Sequence, residues 1–131
     1  MSAKRYLASA GKALRQIAAT QQNKIGEAAG LLVEAVVDGR SLFSFGASHS
    51  FILTEEMVYR TGGLMLVNPI YPHGMNTFIR PMTLTSKLER VEGLGAELLN
   101  GSPATTGDVL IIASVSGRNA VVIDMALAAR D

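Results

Sequence analysis

Val109-Leu110-Ile111-Ile112-Ala113 is the segment that most limits what this chain can become. It is apolar on both faces, as a strand inside a covered parallel sheet must be. Two shorter runs of the same kind precede it, Leu42-Phe43-Ser44-Phe45, which ends at Gly46, and Leu64-Met65-Leu66-Val67. Helical spacing follows each run. It crosses Phe51, Glu55, Val58 and Tyr59 as far as Gly62-Gly63, then Leu84, Leu88 and Val91 with a further turn over Leu94 to Leu99, and finally Ala120, Val121, Met125 and Ala128. Asn68 to Pro81 holds three of the four prolines and reads as a loop. The first 37 residues read as two helices, Leu7/Ala10/Leu14/Ile17 and Ile25/Ala28/Ala29/Leu32/Val36, joined at Gln21-Gln22-Asn23 and stopped by Asp38-Gly39. The order α, α, β, α, β, α, β, α implies parallel strands with right-handed crossovers.

Composition narrows the chemistry. A chain of 131 residues is one domain's worth, and 48% hydrophobic content is enough to build a core. Twelve basic against 11 acidic side chains argue against a dedicated nucleic-acid binder. Lys4, Arg5, Lys12 and Arg15 stand without an acid in residues 1–20. They allow a nucleic-acid arm, but the plainer reading is the solvated face of an amphipathic helix. With no Cys there is no thiolate catalysis, disulfide or Cys-based zinc site, and two His make a multi-His metal site improbable. No metal and no cofactor are expected. No apolar run approaches the roughly 20 residues a membrane span needs, and Met1 to Tyr6 leads into no signal-like apolar stretch. The expectation is a cytoplasmic protein with no membrane partner.

In an open α/β sheet, ligands bind beyond the carboxyl ends of the strands, at the switch point. Two such ends carry small polar residues: Gly46-Ala47-Ser48-His49-Ser50, and Ser114-Val115-Ser116-Gly117-Arg118-Asn119. Each opens a helix, where unpaired N–H groups and the helix dipole favour an anion such as phosphate. Neither is a P-loop, a dinucleotide fingerprint or a nucleophile elbow. Serine also favours helix N-caps, so one loop alone reads as capping, whereas two at neighbouring strand ends point to binding.

Phe45-Gly46-Ala47-Ser48-His49-Ser50, Thr54-Glu55-Glu56-Met57-Val58-Tyr59-Arg60-Thr61-Gly62-Gly63 and Gly107 to Asn119 together resemble a SIS (sugar isomerase) domain. Val67-Asn68-Pro69-Ile70 and Leu88-Glu89-Arg90-Val91-Glu92-Gly93 are similar to a bacterial subgroup related to phosphoheptose isomerases. The resemblance implies a three-layer α/β/α, flavodoxin-like parallel sheet. Strand order 2-1-3 is present, strands 4-5 are missing, and two N-terminal helices precede it. It implies one SIS domain over residues 1–131, with a helical pair at 1–38 and a βαβαβα core at 39–131. A full SIS domain is longer, so the resemblance reads this chain as the N-terminal part. It further implies that Ser114, Ser116 and Asn119, with the amides of Gly117 and Arg118, hold the phosphate of a sugar phosphate, and that Gly46 and Ser48 meet the sugar. The family usually has glycine or cysteine where Ala47 stands and often a polar residue where Val115 stands, and Val cannot donate.

Glu55 and Glu56 point about 100° apart on a helix, so only one can face a cleft. Surface carboxylates near a helix start are the simpler account of both. The resemblance places Glu56 where phosphoheptose isomerases carry a catalytic glutamate, the base that moves a proton through an enediol. The partner acid of those enzymes lies far downstream, and His49 is the nearest substitute, with His73 behind it. His49 equally fits a capping or solvent-facing role. Arg118 fits either a phosphate contact or an ordinary helix start. Three functions follow: a phosphosugar isomerase, a non-catalytic sugar-phosphate sensor, and an oligomerisation module. A homo-oligomer is expected, because an incomplete sheet leaves an edge that invites pairing.

Overall fold

In the computed structural model, which describes residues 2–131, Leu42–Gly46 forms strand β1 and is buried along its whole length. β2 (Val67–Pro69) and β3 (Val109–Ala113) flank it in a parallel sheet of order β2-β1-β3. The registers are Leu42 opposite Val67 on one side and Leu42 opposite Val109, through to Gly46 opposite Ala113, on the other. Helices cover both faces, as the alternation predicts.

Among the described residues the α-helices in chain order are α1 (Ala3–Thr20), α2 (Gln22–Val37), α3 (Phe51–Met57), α4 (Thr83–Leu88), α5 (Leu94–Asn100) and α6 (Ala120–Arg130). The chain divides into two compact units, one ending at Glu34 and the other Ala35–Asp131. The first holds α1 and most of α2. Ser2 caps α1 through its hydroxyl, which accepts the Arg5 N–H at 3.4 Å. The apolar side chains Leu7, Leu14, Ile17, Ile25, Leu31 and Val33 on these helices are all exposed.

The second unit is built on β1. Phe43 and Phe45 lie on one sheet face and pack with Ile70, Met75, Val121, Val122 and Met125. The alternate residue Ser44 turns to the other face, where its hydroxyl shares a buried 2.8 Å hydrogen bond with Thr54 of α3. That bond satisfies two polar groups that burial would otherwise penalise. α5 approaches α6 closely enough at Gly95 that a β-carbon there would strike the Val121 carbonyl and lie 2.7 Å from the Met125 nitrogen.

At the amino end of the sheet, Asp108 fastens β3 to β1. One carboxylate oxygen accepts the Ser41 N–H at 2.8 Å, and the other accepts the Thr105 N–H at 2.8 Å and the Thr105 hydroxyl at 3.1 Å. The Ser41 and Thr105 amides hold the Asp108 carboxyl below its ordinary value. Beside it, Arg40 donates to the Thr106 carbonyl at 3.1 Å.

Four elements differ from the sequence expectation; one is α4, which stops at Leu88 and leaves the exposed Val91 beyond it. β2 is Val67–Pro69 rather than Leu64–Val67. Leu64, Met65 and Leu66 are exposed, and pairing begins only at Val67. The Asn68 side chain then donates to the Leu42 carbonyl at 3.1 Å, and Pro69, which has no N–H, is tolerated because β2 is an edge strand. Helix α3 stops at Met57, before Val58 and Tyr59. Val58 makes the last helical bond, to Thr54, and Tyr59 turns left-handed at φ 48° and is 90% exposed, so the spacing of Val58 and Tyr59 reflects no buried face. Finally, β3 is half-buried rather than buried, because it is the other edge of the three-stranded sheet.

Candidate functional site

Gly46 and Ala113 are register partners at the carboxyl ends of β1 and β3. Adjacent strands lie about 4.8 Å apart, so the two serine-bearing loops leave the sheet side by side. From β1 the chain crosses to β2 on one side, while β3 lies on the other. The gap between β1 and β3 is therefore the switch point of the sheet.

The first loop folds back sharply. After Gly46, Ser48–Ser50 forms a single 3-10 turn that runs directly into α3. A β-carbon on residue 46 would lie 2.5 Å from the Ser50 carbonyl oxygen, so only glycine fits. Ser48 takes a left-handed conformation at φ 55°, and its N–H donates to the Met75 carbonyl at 2.7 Å. The proline-rich segment thereby braces the loop, a contact that no local spacing announces. Ser48 is half-buried and His49 is exposed.

The second loop holds itself together. The Ser114 hydroxyl accepts the Gly117 N–H at 2.9 Å, and the Ser116 hydroxyl accepts the Arg118 N–H at 3.4 Å. Gly117 is left-handed at φ 62°. Ser114 through Arg118 are exposed at the strand ends. Asn119 begins α6 without capping it through its side chain. Its amide instead donates to the Glu89 carboxylate at 2.6 Å. Glu89 is a participant that the sequence reading missed. It lies 30 residues away in the chain and no periodicity links the two.

Glu56 lies on an exposed part of α3 and is ion-paired with Arg60 one turn on. The burial that would raise a catalytic carboxylate does not surround it in this chain. His73 is elsewhere. It lines a cavity of about 270 Å³ with Tyr71, Glu97 and Ser102. A larger cavity, about 630 Å³, sits at the amino end of β3 among Leu99, Thr105, Asp108 and Arg130, away from the serine loops. Among the described residues, no cluster of three or more His, Asp or Glu could hold a metal ion. Among the same residues, no helix is long and apolar enough to cross a membrane.

Comparison with known proteins fits this geometry. A family model described as SIS domain matches residues 5–131. A UPF0309 protein of Shouchella clausii (strain KSM-K16) is 50% identical over 125 residues, covering 95% of this chain and 51% of that protein. A UPF0309 protein of Oceanobacillus iheyensis is 46% identical over 128 residues, covering 98% of this chain and 52% of its own length. One from Streptomyces avermitilis is 41% identical over 129 residues, covering 98% and 51%. The chain thus spans about half the length of the curated relatives it matches.

Proposed function

The chain belongs to the SIS domain family, and on that premise we propose that it binds a phosphorylated sugar at the carboxyl ends of β1 and β3. The observation that carries the reading is the pairing of Gly46 with Ala113, which sets two hydroxyl- and amide-rich loops beside each other at the switch point. In this reading the hydroxyls of Ser114 and Ser116 and the amides of Gly117 and Arg118 take the phosphate, with Asn119 beside them. The Arg118 guanidinium adds charge. Gly46 keeps the first loop tight, and Ser48 meets the sugar.

The fuller form of the reading is an aldose–ketose isomerase. Glu56 then removes the proton from the carbon next to the carbonyl, and the electrons form an enediol. The same carboxyl returns the proton to the former carbonyl carbon, while His49 helps move the hydroxyl proton between the two oxygens. A second reading, a sugar-phosphate sensor without catalysis, is favoured by the exposure of Glu56 and its pairing with Arg60. Neither reading uses a metal or a cofactor, and both place the protein in the cytoplasm. Exposed apolar side chains on α1 and α2 support assembly with further copies.

The test is thermal stabilisation by a panel of sugar phosphates, the free sugars and inorganic phosphate. A phosphosugar is expected to raise the melting temperature, and Ser114→Ala with Ser116→Ala is expected to remove most of that rise. Stabilisation by none of the panel would sink the reading. With a ligand in hand, an isomerisation assay separates the two forms. An exposed ion pair contributes only about 0.3–0.5 kcal/mol, so Glu56→Ala leaves folding nearly intact, and a large drop in turnover then marks an enzyme.

A further inference from the structure

We propose that Glu89 is the residue that positions Asn119, and with it the start of α6, for phosphate. The inference rests on the phosphosugar reading above and names a part of that site outside both serine loops. Three bonds tie the segment after α4 to the amino half of α6. The Glu89 carboxylate accepts the Asn119 side-chain N–H at 2.6 Å. The Glu89 carbonyl accepts the Val121 N–H at 3.2 Å. The Asp124 carboxylate accepts the Gly93 N–H at 2.6 Å.

Chemistry fixes what the first bond does. A carboxylate only accepts, so Asn119 must turn its NH₂ group toward Glu89. The remaining N–H of that group and the side-chain carbonyl are then held in one orientation. Asn119 also carries the carbonyl that receives the first helical bonds, from Val122 at 3.1 Å and Ile123 at 3.2 Å. Locking Asn119 therefore sets both its own side chain and the direction in which the Gly117 and Arg118 amides leave the loop. The bond is short and half-buried, which suits a charge-assisted contact. Such preorganisation strengthens binding because less has to be ordered when the anion arrives.

The charge itself opposes a phosphate, so position and charge make opposite forecasts. Glu89→Gln keeps an acceptor for Asn119 and removes the charge, whereas Glu89→Ala removes both. Inorganic phosphate is titrated into the protein by calorimetry, with thermal melts of each variant alongside. Glu89→Ala is expected to weaken phosphate by about tenfold, the loss of one charge-assisted bond. Glu89→Gln is expected to stay within about twofold of wild type or to bind more tightly. In a double-mutant cycle with Asn119→Ala, the two losses should fail to add. Should Glu89→Ala not fold, the Gln variant and Asn119→Ala carry the test, with Gln strong and Ala weak. Unchanged affinity in Glu89→Ala, additive losses, or a Gln variant about tenfold weaker than wild type would overturn the positioning role alone. Wild-type protein that binds neither phosphate nor any sugar phosphate overturns the site reading and this inference with it.

Discussion

Gly46 stands where the backbone leaves no room for a side chain. The 3-10 turn brings the Ser50 carbonyl to 2.5 Å from where a β-carbon would stand, and backbone atoms cannot step aside cheaply. Gly46→Ala is expected to cost about 1–3 kcal/mol, read as a lower denaturant midpoint, and to shift the first loop. An unchanged midpoint would mean that the turn relaxes freely. Asp108 supports a prediction in pH. Hydrogen bonds from the Ser41 and Thr105 amides lower its folded-state value below the ordinary 3.8. Its stabilisation is therefore complete above 3.8 and is lost as pH falls through the depressed value. Asp108→Asn should lower the melting temperature at neutral pH and flatten its decline in acid. Parallel acid limbs for the two proteins would remove the carboxylate from that role.

Among the elements, α5 and α6 depend on each other most closely. Gly95 lets the two helices meet at backbone distance, and the pair closes over Phe43 and Phe45. Gly95→Ala is expected to push them apart and cost about 1–3 kcal/mol. Near-wild-type unfolding by urea would show that the contact is loose. The same elements show what a sequence discloses. The alternation of short apolar runs with helical spacing located β1, β3 and α6 correctly, because each is long or apolar enough for local pattern to decide. β2 does not coincide with the apolar run Leu64–Val67 because three strand residues, one of them Pro69, carry little pattern of their own, and pairing with β1 defines them. α3 is shorter than its apolar spacing because Val58 and Tyr59 keep helical spacing outside any helix.

At the scale of the molecule, the sheet separates two jobs. The amino end is fastened by Asp108 and Arg40, and the carboxyl end bears the exposed loops. The position of those loops was legible from the sequence, since strand ends and small polar residues announce them. Their supports were not. Met75 on Ser48 and Glu89 on Asn119 are contacts between distant segments, visible only once the chain is folded. The outward apolar residues of α1 and α2 carry a prediction of self-assembly. Light scattering on the 13.9 kDa chain should return a multiple of that mass. A monodisperse species of 13.9 kDa at working concentrations would refute self-assembly.

The serine loop after β3 has a further consequence. Its amides already have acceptors, the hydroxyls of Ser114 and Ser116. On the proposed reading an incoming anion does not fill idle donors; it exchanges with an oxygen already in place. Each displaced hydroxyl would then be free to turn from acceptor to donor toward the guest that replaced it. A neutral guest gains little from that exchange, since one uncharged oxygen succeeds another. A dianion gains most, because charge strengthens both the amide and the hydroxyl bond. On the proposed phosphate reading the loop would discriminate by ionisation state, and its affinity for a phosphate should climb as pH rises through the second phosphate ionisation, near about 6.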